Sequence, residues 1–353
     1  MIKDDIKTRI QLPEYVSFLS QNRTFDQANE IYSQRISDAK DVFTKFSHTF
    51  HERDCPVCGS KKKHELTSFK ELYQIIECKA CLTQYVDPCP SLESLTYYYN
   101  ECKCNAMHGQ LLRSRHNNKN IILSERTEFV INLINKYFKE KKTIRLLEIG
   151  CSSGAFLSEL KEAAKIKIKD LEIIYFGIDI DKTAIQKNLD TEINLCATSA
   201  EALLGSSTDT FDLILHFELI EHLQDPFAFM KSIRALLSKD GLHHFHTPNA
   251  NGLDNKALGY NDFRPLAHGI FPPMHLQAFT PMNITHFALR SGFNVIQVDT
   301  PGNFDVDIVK IFGASIDTPF GHLQNIPQEY LAIFQLLLKN LCGSSHMRVT
   351  LSV

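Results

Sequence analysis

The stretch Leu146-Leu147-Glu148-Ile149-Gly150-Cys151-Ser152-Ser153-Gly154 sets a carboxylate beside two glycines. Lacking a Cβ, each glycine lets the main chain approach a ligand closely. Glu148 suits a ligand bearing ammonium or hydroxyl groups and would repel a diphosphate. The spacing is Glu-x-Gly-x-x-x-Gly, which departs from the dinucleotide fingerprint because position 152 is Ser and position 155 is Ala. A second set of chemical groups is Cys55-Pro56-Val57-Cys58-Gly59 and Cys78-Lys79-Ala80-Cys81, with nineteen residues between Cys58 and Cys78. Two Cys-x-x-Cys turns supply four thiolates, a closed tetrahedral shell for structural zinc that leaves no open position for catalysis.

The elements that must hold these groups can be read from the apolar pattern. Ile144 to Ile149 reads as a buried parallel strand, followed by the glycine turn and a helix from Ala155. Glu172 to Asp179 reads as a second strand, and Asp179 at its tip can accept both hydroxyls of a ribose. Asp181 is expected to cap a helix from Lys182 to Leu189. Further strands are expected at Ile193–Ala197, Phe211–His216, Leu242–His246 and Gly292–Val298, with helices at Phe227–Ser238 and Thr280–Ser291. An amphipathic helix from Lys119 to Glu140 precedes the first of these strands, and the alternating tail His346–Val353 reads as a last one. On the fifth strand His244 and His246 share a face, and His246 lies nearest the ligand edge. A hairpin from Leu66 to Glu77 would bring the cysteine turns together, while Cys89, Cys102 and Cys104 read as ordinary thiols and Tyr97-Tyr98-Tyr99 as a packing stripe. The segment 250–279, with Tyr260, Arg264, His268 and His275, is non-periodic and suits a lid or substrate loop.

In order along the chain, the glycine turn, the strand-tip acid and the run Phe211-Asp212-Leu213-Ile214 … Glu221-His222-Leu223 … Asp225-Pro226 resemble the class I S-adenosylmethionine (SAM) dependent methyltransferases. With the Cys-Pro-x-Cys-Gly turn, Pro272-Pro273-Met274-His275-Leu276 and Thr300-Pro301-Gly302 … Asp305-Val306-Asp307, the chain is similar to bacterial methyltransferases carrying an N-terminal zinc ribbon. The resemblance implies an α/β, doubly wound, Rossmann-like sheet of seven strands, the last antiparallel and slotted between the fifth and sixth. It implies that Glu148, Gly150 and Gly154 hold the amino-acid end of SAM, Asp179 the ribose, and Ser199-Ala200 the adenine, with Ser199 in place of the usual acid. Cys151, Ile180 and His216 complete the expected cofactor set.

The implied reaction is methyl transfer to a small-molecule hydroxyl, on a sugar, nucleotide sugar or glycan precursor. For such an acceptor the base would be His222, His268 or His275, with Glu221 as a further choice. Rival readings are C-methylation of a nucleotide sugar, a non-catalytic SAM-binding protein, and an RNA methyltransferase that grips nucleic acid through the ribbon and Lys61-Lys62-Lys63.

The 353 residues suffice for more than one domain: a helical arm over 1–50, a ribbon and following segment over 51–110, and the methyltransferase domain over 111–353 with inserts at 250–279 and 304–341. The arm reads as a packing element or a dimer contact. With 38 basic and 41 acidic residues the formal charge is -3, which offers no overall basic field for nucleic acid. No apolar stretch reaches the roughly 18 residues of a spanning helix and the N-terminus lacks a signal-peptide core, so a soluble, cytoplasmic protein is expected.

Overall fold

In the computed structural model, which describes residues 25–105, 107, 121–206, 209–259, 269–302, 305–306, 309 and 326–353, the apolar runs become strands. In chain order these are β1 (Lys63–Phe69), β2 (Tyr73–Cys78), β3 (Gln84–Val86), β4 (Thr143–Ile149), β5 (Glu172–Asp179), β6 (Ile193–Ala197), β7 (Phe211–Phe217), β8 (Leu237–Pro248), β9 (Gln277–Ala278), β10 (Asn294–Asp299) and β11 (His346–Ser352). They form two sheets, ordered β1-β2-β3-β9 and β10-β11-β8-β7-β4-β5-β6.

The larger sheet is an α/β, Rossmann-like arrangement. β4 pairs in parallel with β5 and β7, β5 with β6, and β7 with β8. The final strand, its antiparallel member, lies between β8 and β10. Strand order reverses at β4, so the carboxyl end of β4 is the switch point where such sheets bind ligands. Ile144, Leu146, Leu147 and Ile149 are all buried, as a strand covered on both faces requires. One face packs Val130, Ile134 and Phe138, together with Leu157 and Leu160, against Leu146, Leu213 and Leu215.

Contacts divide the chain into two units: Met1–Gly109, Pro248–Ile284 and Asp299–Met347 make one, and Gln110–Thr247, Thr285–Val298 and Arg348–Val353 the other. The first unit carries the small sheet. Its core joins Phe69, Tyr73, Ile75 and Val86 to Ala39 and Val42 of the helix Phe25–Phe46, and to Phe271, Met274 and Ala278. Arg53 braces this sheet, donating from Nε to the Val86 carbonyl at 3.1 Å and from Nη2 to the Leu276 carbonyl at 2.7 Å. Tyr97 and Tyr98 are packing groups, Tyr98 wholly buried and Tyr97 5.2 Å from Phe46, while Cys89, Cys102 and Cys104 are buried thiols.

Several boundaries differ from expectation. The helix after Asp181 ends at Ile185, because Asn188 turns the chain by bonding Asp190 twice and Lys161 then holds Asp190 at 2.7 Å. The fifth strand of the large sheet begins at Leu237 rather than Leu242, since the helix stops at Leu236 and Ser238–Gly241 form an irregularity in the β7–β8 register. Tyr15, Val16, Phe18 and Leu19 of the arm, and Tyr260, Arg264 and His268 of the insert, lie outside the described residues. So does much of 304–341, whose described helix is Gln328–Asn340. Among the described residues no helix is long and apolar enough to cross a membrane.

Three histidines in this sheet are fully enclosed. His216 and His243 lie 5.0 Å apart between the rings of Phe229, Phe245 and Phe293, and none of their four ring nitrogens has a hydrogen-bond partner. His244 shares a 2.9 Å bond between Nδ1 and the Thr350 hydroxyl. Burial pushes His243 and His244 down to about 3 and His216 well below 6.5. Below pH 6.5 the unfolded chain takes up these protons and the folded chain does not, so stability falls as pH falls. Each histidine should remove about 2 kcal/mol by pH 5. Urea unfolding at pH 7 and pH 5 should show this loss, and His243→Leu should shrink it by about one histidine's share.

Candidate functional site

The turn after β4 is shaped by three left-handed residues, Gly150, Ser152 and Gly154, with φ of 77, 51 and 78°. The N–H groups of Gly150 and Cys151 both donate to the Ile178 carbonyl, at 2.8 and 3.1 Å. Gly154 caps the helix Ala155–Lys167, and a Cβ there would lie 3.1 Å from Leu195. At Gly177 the restriction is stricter: a Cβ would come within 2.5 Å of Leu195 and 2.7 Å of the Cys151 sulfur.

Asp179 ends β5 facing this turn. Its Oδ2 accepts from Ser152 N–H and its Oδ1 from Asp181 N–H, each at 2.8 Å. Each oxygen keeps further acceptor capacity, so the carboxylate is aimed before any ligand arrives. Asp181 caps the next helix through Thr183 and Ala184, as the sequence suggested. Ile180 between them is 80% exposed, an apolar surface beside the acid.

Glu148 lies at the end of β4 and is 5% exposed, with no hydrogen-bond partner at Oε2. Burial pushes its carboxyl up to about 8, the charge of Arg126 works against that, and Asp179 adds to it. A buried carboxyl whose charged form a nearby cation would favour, two glycines and a pre-aimed aspartate form a set that fits an ammonium, a close backbone approach and a pair of hydroxyls.

Arg126, on the helix Ile121–Tyr137, was not singled out in the sequence, where it is one cation on an amphipathic helix. Its Nη2 donates to Glu218 Oε1 at 2.9 Å and its guanidinium lies 4.7 Å over the Phe217 ring.

Other expected residues take different places. His216, named in the expected cofactor set, has its side chain wholly buried between Phe229 and Phe245. Alternation along β7 turns it to the covered face, and Phe217 follows at the edge. Cys151 is buried under the turn, and burial pushes its thiol up. Ser199 uses its hydroxyl to accept from Ala202 N–H at 3.2 Å, capping the helix that begins at the buried Ala200. Leu219 packs over the turn, 3.5 Å from where a Gly150 Cβ would stand.

Glu221 is 1% exposed and accepts from the Thr247 hydroxyl at 2.9 Å, with His222 Nε2 3.7 Å from its other oxygen. The structure therefore brings Glu221 and His222 together. His275 belongs to the first unit, buried in a turn where its N–H bonds the Phe271 carbonyl at 3.0 Å. His268 lies outside the described residues.

In the first unit the two cysteine turns repeat one geometry. Gly59 N–H bonds the Cys55 carbonyl at 2.8 Å and Leu82 N–H the Cys78 carbonyl at 2.9 Å, and both Gly59 and Leu82 are left-handed. The β1–β2 hairpin draws the turns together, so that the ligand atoms of Cys55, Cys58, Cys78 and Cys81 lie within 4.8 Å of one another. The separations Cys55–Cys81 and Cys58–Cys78 are 3.6 and 3.5 Å. A tetrahedron with Zn–S bonds of about 2.3 Å spaces its sulfurs about 3.8 Å apart, so the set fits zinc.

Comparison with known proteins adds family context. A methyltransferase-domain family profile matches residues 122–298. The ubiquinone biosynthesis O-methyltransferase of Parvibaculum lavamentivorans is 30% identical over 138 residues, covering 36% of this chain and 49% of that protein. Its namesake from Cereibacter sphaeroides is 33% identical over 108 residues, 31% and 42% of the two chains. The chain thus spans about half the length of the curated relatives it matches. Among solved structures, the plantazolicin methyltransferase BpumL, in complex with a triazolic desmethylPZN analog and SAH, covers 73% of this chain and 93% of its own at 14% identity, with a TM-score of 0.47. A SAM dependent methyltransferase from Archaeoglobus fulgidus covers 64% and 94% at 19% identity, with a TM-score of 0.40.

Glu148 gives the site a measurable signature. Between its unfolded value of 4.5 and its folded value of about 8, the unfolded chain loses a proton that the folded chain keeps. Stability from this group therefore falls by about 1.4 kcal/mol per pH unit across that window. Glu148→Gln should be progressively more stable than the parent from pH 5 to pH 8, read by urea unfolding. A constant difference would place the carboxyl in a wetter setting.

Proposed function

Because the chain belongs to the methyltransferase-domain family, we propose that it transfers a methyl group from SAM to a hydroxyl of a small-molecule acceptor: a sugar, nucleotide sugar or glycan precursor. The observation that carries this reading is the meeting of the buried Glu148 carboxyl, the left-handed glycine turn and the pre-aimed Asp179 at the carboxyl ends of β4 and β5. The names of the O-methyltransferase relatives support a hydroxyl acceptor. The sugar assignment rests on the likeness to zinc-ribbon methyltransferases.

SAM supplies an electrophilic methyl on sulfonium sulfur, so the protein's task is chiefly alignment of that methyl with the acceptor oxygen. Gly150 and Gly154 admit the cofactor to the main chain, and Glu148 meets its ammonium. Asp179 takes the ribose hydroxyls, Ile180 offers an apolar surface to the nucleoside, and the backbone around Ser199 and Ala200 borders the adenine. For a hydroxyl nucleophile, His222 is the base best supported, because the Glu221 carboxylate beside it stabilises the positive charge the ring gains. His268 and His275 remain alternatives. Cys55, Cys58, Cys78 and Cys81 hold structural zinc that locks the β1–β2 hairpin.

Labelled methyl from SAM, incubated with host extract and fractionated, should enter the small-molecule or glycan pool. Label in RNA instead would sink the acceptor assignment and make Lys61-Lys62-Lys63 part of a nucleic-acid grip. Asp179→Ala should weaken SAM binding about 100-fold through the loss of two charge-assisted hydrogen bonds, and unchanged affinity in calorimetry would overturn the ribose role. Elemental analysis should find one zinc per chain, lost in Cys78→Ser with a lower melting temperature. Full metal retention by that variant would contradict the four-thiolate site.

A further inference from the structure

Each pair of cysteines is flanked, two positions outside it, by a residue that engages β3 or its start: Arg53 before Cys55 and Thr83 after Cys81. Thr83 is fully buried, its hydroxyl lies 3.0 Å from the Cys81 sulfur, and its carbonyl accepts from Cys78 N–H at 2.9 Å. Once Cys81 is a thiolate it has no proton to give, so the hydroxyl must be the donor. Gln84 follows at once as the first residue of β3, so the second cysteine turn fixes where that strand starts. The Arg53 guanidinium spans both strands of the β3–β9 pair, reaching Gln277 Oε1 at 3.4 Å as well as the Val86 and Leu276 carbonyls. Val86 N–H adds a bond to the Leu276 carbonyl at 2.9 Å. The ladder itself is two residues long, Gln84 opposite Ala278 and Tyr85 opposite Gln277. A pairing this short is not stable on its own in water. Phe271, Met274 and Ala278 also pack on the small sheet, but apolar packing is non-directional and does not fix a register. What the pairing holds is the turn in which His275 N–H bonds the Phe271 carbonyl.

We propose that Thr83 and Arg53 make the four-cysteine centre a clamp on the 270–279 turn, so that zinc occupancy sets the order of this turn and of His275. The inference rests on the four-thiolate reading above and gives the centre a task beyond its own hairpin. With the metal bound, both cysteine turns are fixed, Thr83 holds the start of β3, and Arg53 meets its three acceptors from a fixed base. Without it the cysteine turns are free to separate and the short ladder loses its register. The far end of the turn keeps a separate tether, Ala250 N–H to the Phe279 carbonyl at 2.7 Å, so the turn loosens without detaching. The strands of the large sheet pack in a core of their own, and their order does not follow the metal. Metal supply thus controls the segment read as a substrate loop and leaves β4 and β5 in place.

The test is hydrogen–deuterium exchange of the full chain, read by mass spectrometry, with zinc bound and after its removal by a chelator, metal content being measured in each sample. Zinc removal should speed exchange at least about 10-fold in peptides covering Gln84–Val86 and 270–279, and leave those covering Thr143–Ile149 and Glu172–Asp179 unchanged. Arg53→Lys, which keeps the charge but not the fork, should speed exchange at 275–278 with zinc still bound. Thr83→Val, which removes the hydroxyl and keeps all four cysteines, should yield zinc to a chelator about 10-fold faster. Zinc loss that speeds exchange only within the two cysteine turns overturns the clamp and confines the metal to its own hairpin. Equal acceleration in both sheets also overturns it, because zinc is then a requirement of the whole fold. An unmoved 275–278 segment in zinc-loaded Arg53→Lys overturns the role of Arg53. If the chain takes up no zinc while its large-sheet peptides stay protected, the four-thiolate reading itself fails, a result distinct from the others.

Discussion

Two main-chain amides, those of Gly150 and Cys151, converge on one carbonyl, that of Ile178, and the candidate site depends on this convergence. It folds the end of β4 onto the end of β5 and forces the left-handed backbone at residues 150, 152 and 154. It brings Ser152 N–H within reach of Asp179, so that the turn aims the acid. It also explains why residue 177 is glycine: the chain must pass directly under Cys151, where a Cβ has no room. Backbone geometry, more than any side chain, thus sets the shape presented at the switch point.

How much of this was legible in the sequence follows from how local each feature is. β4, β5 and β6 are announced by their own apolar runs and β11 by its alternation, each to within a residue or two. The glycine turn, Asp179 and the Asp181 cap were legible because their partners lie a few residues away or in the next strand. The face His216 takes is not legible, because its distance along β7 is plain from the sequence but its face depends on what covers it, here Phe229 and Phe245. Arg126 was not visible at all, since its meaning comes from Glu218 and Glu148, 92 residues away in the first case. Helix ends were lost where a side chain captures the backbone, as Asn188 does near Asp190.

The same sheet holds ionisable groups in opposite senses. His216, His243 and His244 are kept uncharged by surrounding rings on its central strands. Glu148 is kept protonated by burial at the ligand edge, with a cation near enough to oppose that effect. The histidines fill space, whereas the glutamate lies beside the glycine turn, where a positive group would favour its charged form. Position relative to the strand ends separates a structural titratable residue from a responsive one.

β9 has a consequence for how the chain is made. Its two residues pair with β3, and the Leu276 carbonyl beside them receives the Arg53 guanidinium, so the small sheet closes only through residues about 190 positions downstream of β3. During vectorial synthesis the cysteine-bearing hairpin leaves the ribosome long before its last strand exists. Until then β3 has an open edge and Arg53 must be solvated or served by other acceptors, a state in which strand-edge association is the hazard. The N-terminal unit therefore matures late, although its sequence comes first.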